Sequence, residues 1–137
     1  MTAGPRPQLR VLLVEDEPAN RALVRAILAR AGRDRLGEVV LREAGSIADA
    51  RSLLSSEPVD VVLLDIRLPD GNGLDLAAEL RARSVGGAPR IVVLSASVLP
   101  TERTMALAAG ADDFLGKPFS SMDLVNLLRA VAPAAEG

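Results

Sequence analysis

Cysteine, histidine, tryptophan and tyrosine are all missing from the 137 residues, and two phenylalanines are the only aromatic side chains. Without cysteine there can be no disulfide framework, no thiol nucleophile and no thiolate metal site, and the lack of a secretory leader fits a reducing compartment. The cytoplasm is the expected location. Without histidine the usual general base and the commonest transition-metal ligand are gone, which leaves carboxylates, hydroxyls and amines for any chemistry. Flavin binding is disfavoured, because no tryptophan or tyrosine can sandwich the ring and no Ser/Thr/Gly-rich phosphate loop follows the first apolar run. The formal net charge of −2 gives no basic stripe of the kind that releases counterions from DNA or RNA, so no direct nucleic-acid contact is expected. Long hydrophobic runs are absent as well. The longest, Val59 to Leu64, is broken by Asp60 and falls far short of the roughly 20 residues that cross a bilayer, so no membrane contact is expected.

What is present suits one compact domain, with 49% apolar and 25% charged residues in a chain long enough to bury a sizeable core. Residues 9–131 are expected to form it, after a disordered N-terminal extension over 1–8 and before a short tail over 132–137. Apolar runs alternate with helical patterns. "LRVLLV" (Leu9 to Val14) reads as a strand, and the helix after it opens at Pro18 and closes at Gly32, with Leu23, Ala26, Ile27 and Arg30 at helical spacing. Glu38 to Ala44 reads as a second strand and "SIADARSLLSS" as a second helix, with Ser46 and Asp49 in capping-box spacing. Val59 to Asp65 precedes the helix "GLDLAAELRAR", and Arg90 to Ala96 precedes "TERTMALAAG", closed by Gly110. A last short strand over Asp113 to Leu115 leads to a helix from Ser120 to Val131. There Ser120 and Asp123 repeat the capping box, and Leu124, Leu127, Leu128 and Val131 form a stripe.

Repeated βα units with short loops imply an α/β fold, a doubly wound five-stranded parallel sheet with helices on both faces. Such sheets bind ligands outside the carboxyl ends of their strands, where strand order reverses. Polar residues collect at those ends: Glu15 and Asp16 after the first strand, Asp65 at the third, Ser95 at the fourth, and Lys117 after the fifth. In the flavodoxin-like order 2-1-3-4-5 they would face one crevice. Three close carboxylates raise one another's pKa unless a cation sits among them, and an all-oxygen set without His or Cys points to Mg²⁺ over Zn²⁺. With the acids screened, an aspartate can attack phosphorus and form an acyl phosphate, while Lys117 and the Ser95 hydroxyl meet the phosphoryl oxygens.

The pair Glu15-Asp16, the block "LLDIRLPDGNGLDL", the strand end "VVLSAS" and the segment "ALAAGADDFLGKPF" resemble the receiver domains of two-component response regulators, from about Leu9 to Val131. The resemblance implies that Asp65 accepts a phosphoryl group from a partner histidine kinase or histidine phosphotransfer protein. It further implies that Glu15 and Asp16 bind Mg²⁺ with Asp65, that Arg67 lends its backbone carbonyl to the ion, and that Ser95 and Lys117 are the family's hydroxyl and lysine. Phe114 falls at the family's switch aromatic. A downstream output protein or domain reads the change, with phosphorylation-dependent homodimerisation one route. Only "APAAEG" follows Val131, so the receiver is expected either to stand alone or to be a piece of a longer protein. The stretch "RAGRDRLGEV" is longer than the family's usual turn and reads as an insertion or an extra helical turn.

Two other functions fit parts of the pattern. A haloacid-dehalogenase-like phosphatase also places an Asp nucleophile and Mg²⁺ after a parallel strand, but it carries a general acid two residues on, where Arg67 stands here. A receiver that serves only as a docking module is argued against by the complete set of five residues. Blander roles exist for single residues. Glu15 and Asp16 could merely face the positive end of the first helix, Ser95 could satisfy a backbone group, and Phe114 could be plain core. Asp70, Asp75, Asp112 and Asp113 are read as solvated or capping residues.

Overall fold

The computed structural model describes residues 8–31, 36–83, 89–96 and 99–131. Residues 1–7 of the expected extension, the tail, and most of the long turn after the first helix lie outside the described residues, while Gln8, expected in the extension, is the first residue of the first strand. Among the described residues seven strands and five helices follow one another: β1 (Gln8–Val14), α1 (Pro18–Ala31), β2 (Glu38–Ala44), α2 (Ile47–Ser56), β3 (Val61–Asp65), β4 (Arg67–Leu68), β5 (Gly71–Asn72), α3 (Gly73–Ala82), β6 (Arg90–Ser95), α4 (Pro100–Ala108), β7 (Asp113–Gly116) and α5 (Ser121–Val131). Five strands make the main sheet in the order β2-β1-β3-β6-β7, with every pair parallel. This is the expected doubly wound order, and it places β1 beside β3 at the switch point. The two-residue strands β4 and β5, which pattern reading did not anticipate, pair antiparallel as a small hairpin.

The parallel strands are near-continuous apolar runs because both of their faces are covered. Along β1 and β3 alternate residues enter different cores. Leu12, Val14, Val62 and Leu64 pack with Ile47 and Ala50 of α2, Leu74, Leu76 and Ala77 of α3, and Ala106 of α4. Val11, Leu13, Val61 and Leu63 pack with Val24, Ile27 and Leu28 of α1 and with Leu124, Val125 and Leu128 of α5. The α1 helix expected from spacing forms, but its buried face is not made of all the spaced residues. Ile27 is buried, but Leu23, Ala26 and Arg30 face out, and the helix docks through the apolar set Val24, Ile27 and Leu28. A helix with apolar residues on both sides of its seam can be phased either way by spacing alone, and burial favours the set without a cation.

Helix ends follow local chemistry. The Ser46 hydroxyl accepts from the Asp49 N–H at 3.1 Å. At α5 both halves of the box form: Ser120 Oγ accepts from Asp123 N at 3.0 Å and Asp123 Oδ2 accepts from Ser120 N at 3.1 Å. Each such cap satisfies donors that the first helical turn leaves without partners.

Candidate functional site

β1 and β3 end side by side, so the residues that leave them meet above the sheet. A cleft of about 510 Å³ opens there, lined by Glu15, Asp16, Asp65, Arg67, Ser95 and Lys117 among others. The structure thus brings together every residue singled out at the strand ends. Glu15 is 1% exposed, Asp65 lies at the tip of β3 half-buried, and Asp16 is open to solvent. Lys117 Nζ reaches Glu15 Oε1 at 2.7 Å and Asp65 Oδ2 at 3.5 Å. The ammonium therefore bridges two of the three acids, and its tighter partner is the buried one. Glu15 Oε2 also accepts from the Glu17 N–H at 3.1 Å, so both of its oxygens are engaged.

Burial is the main cause that raises the Asp65 pKa above its ordinary 3.8; Lys117 opposes the rise and Glu15 adds to it. Burial thus makes the ionised carboxylate more costly than it would be in water, and added positive charge would offset that cost. The donor set suits such a charge. One carboxylate oxygen each from Glu15, Asp16 and Asp65 lie within 4.8 Å of one another, with oxygen donors alone and Asp16 free to face water. Hard oxygen ligands and a solvent-open side fit Mg²⁺, which keeps several waters and takes one or two carboxylates.

Ser95 ends β6 and is buried; its hydroxyl donates to Glu102 Oε1 of α4 at 3.3 Å. Arg67 opens β4 and is exposed at the rim of the cleft. Phe114 lies on β7 opposite Val93, half-buried against the core shared by α2, α3 and α4. Lys117 follows β7, and its N–H donates to the Ser95 carbonyl at 2.6 Å, which ties the hydroxyl strand and the lysine loop together. Glu17, Asn20 and Glu102 also line the cleft and were missed in the sequence. Glu102 carried a signal, an acid in the first turn of the helix that follows Ser95.

Two acids read as solvated or capping have long-range roles. Asp70 caps α2, its carboxylate accepting from Ile47 N at 2.8 Å and Ala48 N at 3.0 Å. Asp112 is half-buried, not solvated. Its Oδ2 accepts from Arg81 and from the Ile91 N–H, each at 2.7 Å, which joins α3 to the start of β6 and the approach to β7.

A doubly wound sheet whose switch point gathers three acids, a lysine and a hydroxyl defines a class of α/β domain suited to holding a divalent cation beside an aspartate. Residues 11–129 match the family model of the response regulator receiver domain, and the chain belongs to that family. It is 39% identical over 134 residues to the transcriptional regulatory protein AruR of Pseudomonas aeruginosa, an alignment that takes in 91% of this chain and 51% of that protein. To the two-component response regulator ORR41 of Oryza sativa subsp. japonica it is 41% identical over 120 residues, or 87% of this chain and 91% of that one. The chain spans about half the length of AruR and of the similar Pseudomonas regulator GltR. Among solved structures, the receiver domain of sensor histidine kinase PA1611 from Pseudomonas aeruginosa, with a magnesium ion coordinated in its active-site cleft, superposes with a TM-score of 0.77 at 30% identity, covering 91% of this chain and 98% of that one. Receiver domains are signalling domains, not classical enzymes. Among the described residues no helix is long and apolar enough to cross a membrane.

Proposed function

We propose that this domain takes a phosphoryl group from a phosphohistidine on a partner kinase or phosphotransfer protein onto the Asp65 carboxylate, and that the resulting change is read by an output partner. The observation that carries the proposal is the bridging of Lys117 to both Glu15 and Asp65 beside a solvent-open Asp16. An Asp65 oxygen attacks phosphorus in line, forming a P–O bond as the P–N bond breaks, and the electron pair returns to the imidazole nitrogen. Mg²⁺, when bound by Asp16, Asp65, Glu15 and the Arg67 backbone carbonyl, supplies positive charge for the phosphoryl oxygens. Lys117 stays within reach of the same oxygens and Ser95 offers its hydroxyl, so charge that builds up during transfer meets fixed partners. The domain thus catalyses only its own phosphorylation and dephosphorylation.

The partner is proposed to dock on an apolar depression of about 340 Å³ beside the cleft, lined by Leu23, Val24, Leu94, Ala96, Pro118 and Phe119 among others. Leu23 is 48% exposed there, an apolar side chain left uncovered where a helix of the phosphodonor would sit. For output, Ser95 leaves Glu102 for the new phosphoryl oxygens and Phe114 turns into the space behind it. This alters the face of α4, β7 and α5, where Met105 and Met122 are exposed; a second copy of this chain or an output domain binds there. The cytoplasm is the proposed site of action. Intact-mass analysis after treatment with acetyl phosphate and Mg²⁺ tests the chemistry. One hydroxylamine-labile phosphoryl group is expected on the wild type and none on Asp65→Asn. Equal uptake by both proteins would overturn the assignment.

A further inference from the structure

The chain leaves Asp65 through a closely bonded loop. Arg67 pairs with Asn72 and Leu68 with Gly71, Gly73 N donates to the Ile66 carbonyl at 2.6 Å, and the Asn72 side chain accepts from Leu74 N at 2.8 Å. Asp70 stands at the hairpin tip, and both of its oxygens are spent on α2, a helix 22 and 23 residues earlier in the chain. The next residue lies against the same helix, since a Cβ on Gly71 would come within 3.1 Å of Ile47 Cδ1. We propose that Asp70 is a positioning residue for the phosphoacceptor: its carboxylate clamps the β4–β5 hairpin to the first turn of α2 and so fixes where Asp65 and the Arg67 backbone stand in the cleft.

This inference rests on the reading of Asp65 as acceptor with Mg²⁺ beside it. Its rival is that Asp70 only stabilises α2. The structure separates the two roles, because α2 has a cap of its own: Ser46 takes the Asp49 N–H, whereas Asp70 takes those of Ile47 and Ala48. A local cap serves the helix, and a carboxylate brought from the loop after Asp65 ties that loop down as well. The two N–H donors, with Arg51 nearby, hold the Asp70 carboxyl below its ordinary range, so the clamp stays ionised at neutral pH. Asparagine at this position could offer one acceptor oxygen where aspartate offers two.

The test compares Asp70→Ala with Ser46→Ala, which weakens the same helix end without touching the hairpin. Three readouts are taken on each: Mg²⁺ affinity by calorimetry, phosphate uptake from acetyl phosphate at subsaturating Mg²⁺, and hydrogen exchange of the Gly73 amide. Asp70→Ala is expected to lose about 10-fold in Mg²⁺ affinity, the low end for groups that orient a metal ligand from outside. Its uptake should slow by a similar factor and its Gly73 amide should exchange faster, while Asp70→Asn falls between. Ser46→Ala should leave all three readouts near wild type even where its melting temperature drops as far. Equal behaviour of the Asp70 and Ser46 variants would overturn the clamp, and Asp70→Asn carries the same comparison if the alanine variant does not fold. A wild type that neither binds Mg²⁺ nor takes up phosphate would sink the functional reading instead, and Gly73 exchange would still decide whether Asp70 holds the loop.

Discussion

Replacing Gly73 by alanine is a direct probe of how tightly the acceptor loop is built. Gly73 is the first residue of α3, and a Cβ there would overlap the Asp65 carbonyl oxygen, lie 3.0 Å from the Asp65 carbonyl carbon and 3.3 Å from Ile66 Cα. All three neighbours are backbone, so no side-chain rotation relieves the clash. Nor is backbone conformation the obstacle, since the positive-φ glycines are Gly37, Gly71 and Gly110. Alanine would gain roughly 0.4–1 kcal/mol through the unfolded chain and helix propensity. Overpacking a tight site costs about 1–3 kcal/mol, and its upper part applies where backbone must move. The net is a loss of about 1–2 kcal/mol, or a fall of roughly 3–10 °C in Tm for a domain of this size. Activity should suffer more than stability, because the atoms pushed aside belong to Asp65. Melting is followed by far-UV circular dichroism, as the chain has no tryptophan or tyrosine to report by fluorescence, and uptake by intact mass. Gly45→Ala is the control, its new Cβ meeting Arg21 at an ordinary 3.4 Å. A Gly73→Ala protein that melts at or above the wild type and takes up phosphate at the same rate would refute the argument.

Because burial raises the Asp65 pKa above 3.8 in the folded state, folding holds a proton there that the unfolded chain releases. The stability this contributes is complete below the unfolded pKa and is lost as pH rises through the folded one. Asp65→Asn should therefore melt higher than the wild type near neutral pH without Mg²⁺, and the gap should close toward about pH 4; a gap unchanged across that range contradicts the shift. Lys117→Met strands the buried Glu15 carboxylate and should cost about 3 kcal/mol, in line with breaking a buried ion pair. Added Mg²⁺ should recover part of it, and a denaturant midpoint equal to the wild type's would mean that the pair contributes little. Ser95→Ala should still accept phosphate, more slowly, while the amide shifts that beryllofluoride induces in α4 and α5 shrink; undiminished shifts would remove Ser95 and Phe114 from the signalling route.

The five strands of the main sheet, the presence of the five helices and the buried stripe of α5 were legible because each depends on a local pattern: apolar runs for buried parallel strands, and Ser46–Asp49 and Ser120–Asp123 for helix starts. The strand-end residues were legible together because the doubly wound order dictates where strand ends meet. Spacing did not fix the phase of α1, since Leu23 continues its apolar surface beside Val24 and only the approach of β1 and α5 chooses between them. Asp112 was misread as solvated, and Asp70, though a capping residue as expected, caps a helix that its own sequence neighbourhood does not name. Their partners lie 21 to 31 residues away, and no local pattern marks an acid that will cross to another element. The same holds for Lys117, whose tightest contact, Glu15, is 102 residues earlier.

The sheet works as a bulkhead. On one side α1 and α5 share a core, on the other α2, α3 and α4 share a second, and β1 and β3 contribute alternate side chains to each. The proposed docking depression draws on Val24, Leu94 and Phe119 from the first compartment, with the outward-facing Leu23 at its rim, whereas Phe114 packs in the second. A substitution that reshapes the phosphodonor's seat can therefore be absorbed without repacking the wall behind α4, and the reverse also holds. If the two proposed faces serve different partners, the partition would let one be exchanged while the other is kept, because the two compartments meet at the shared strands and at the polar residues along their ends.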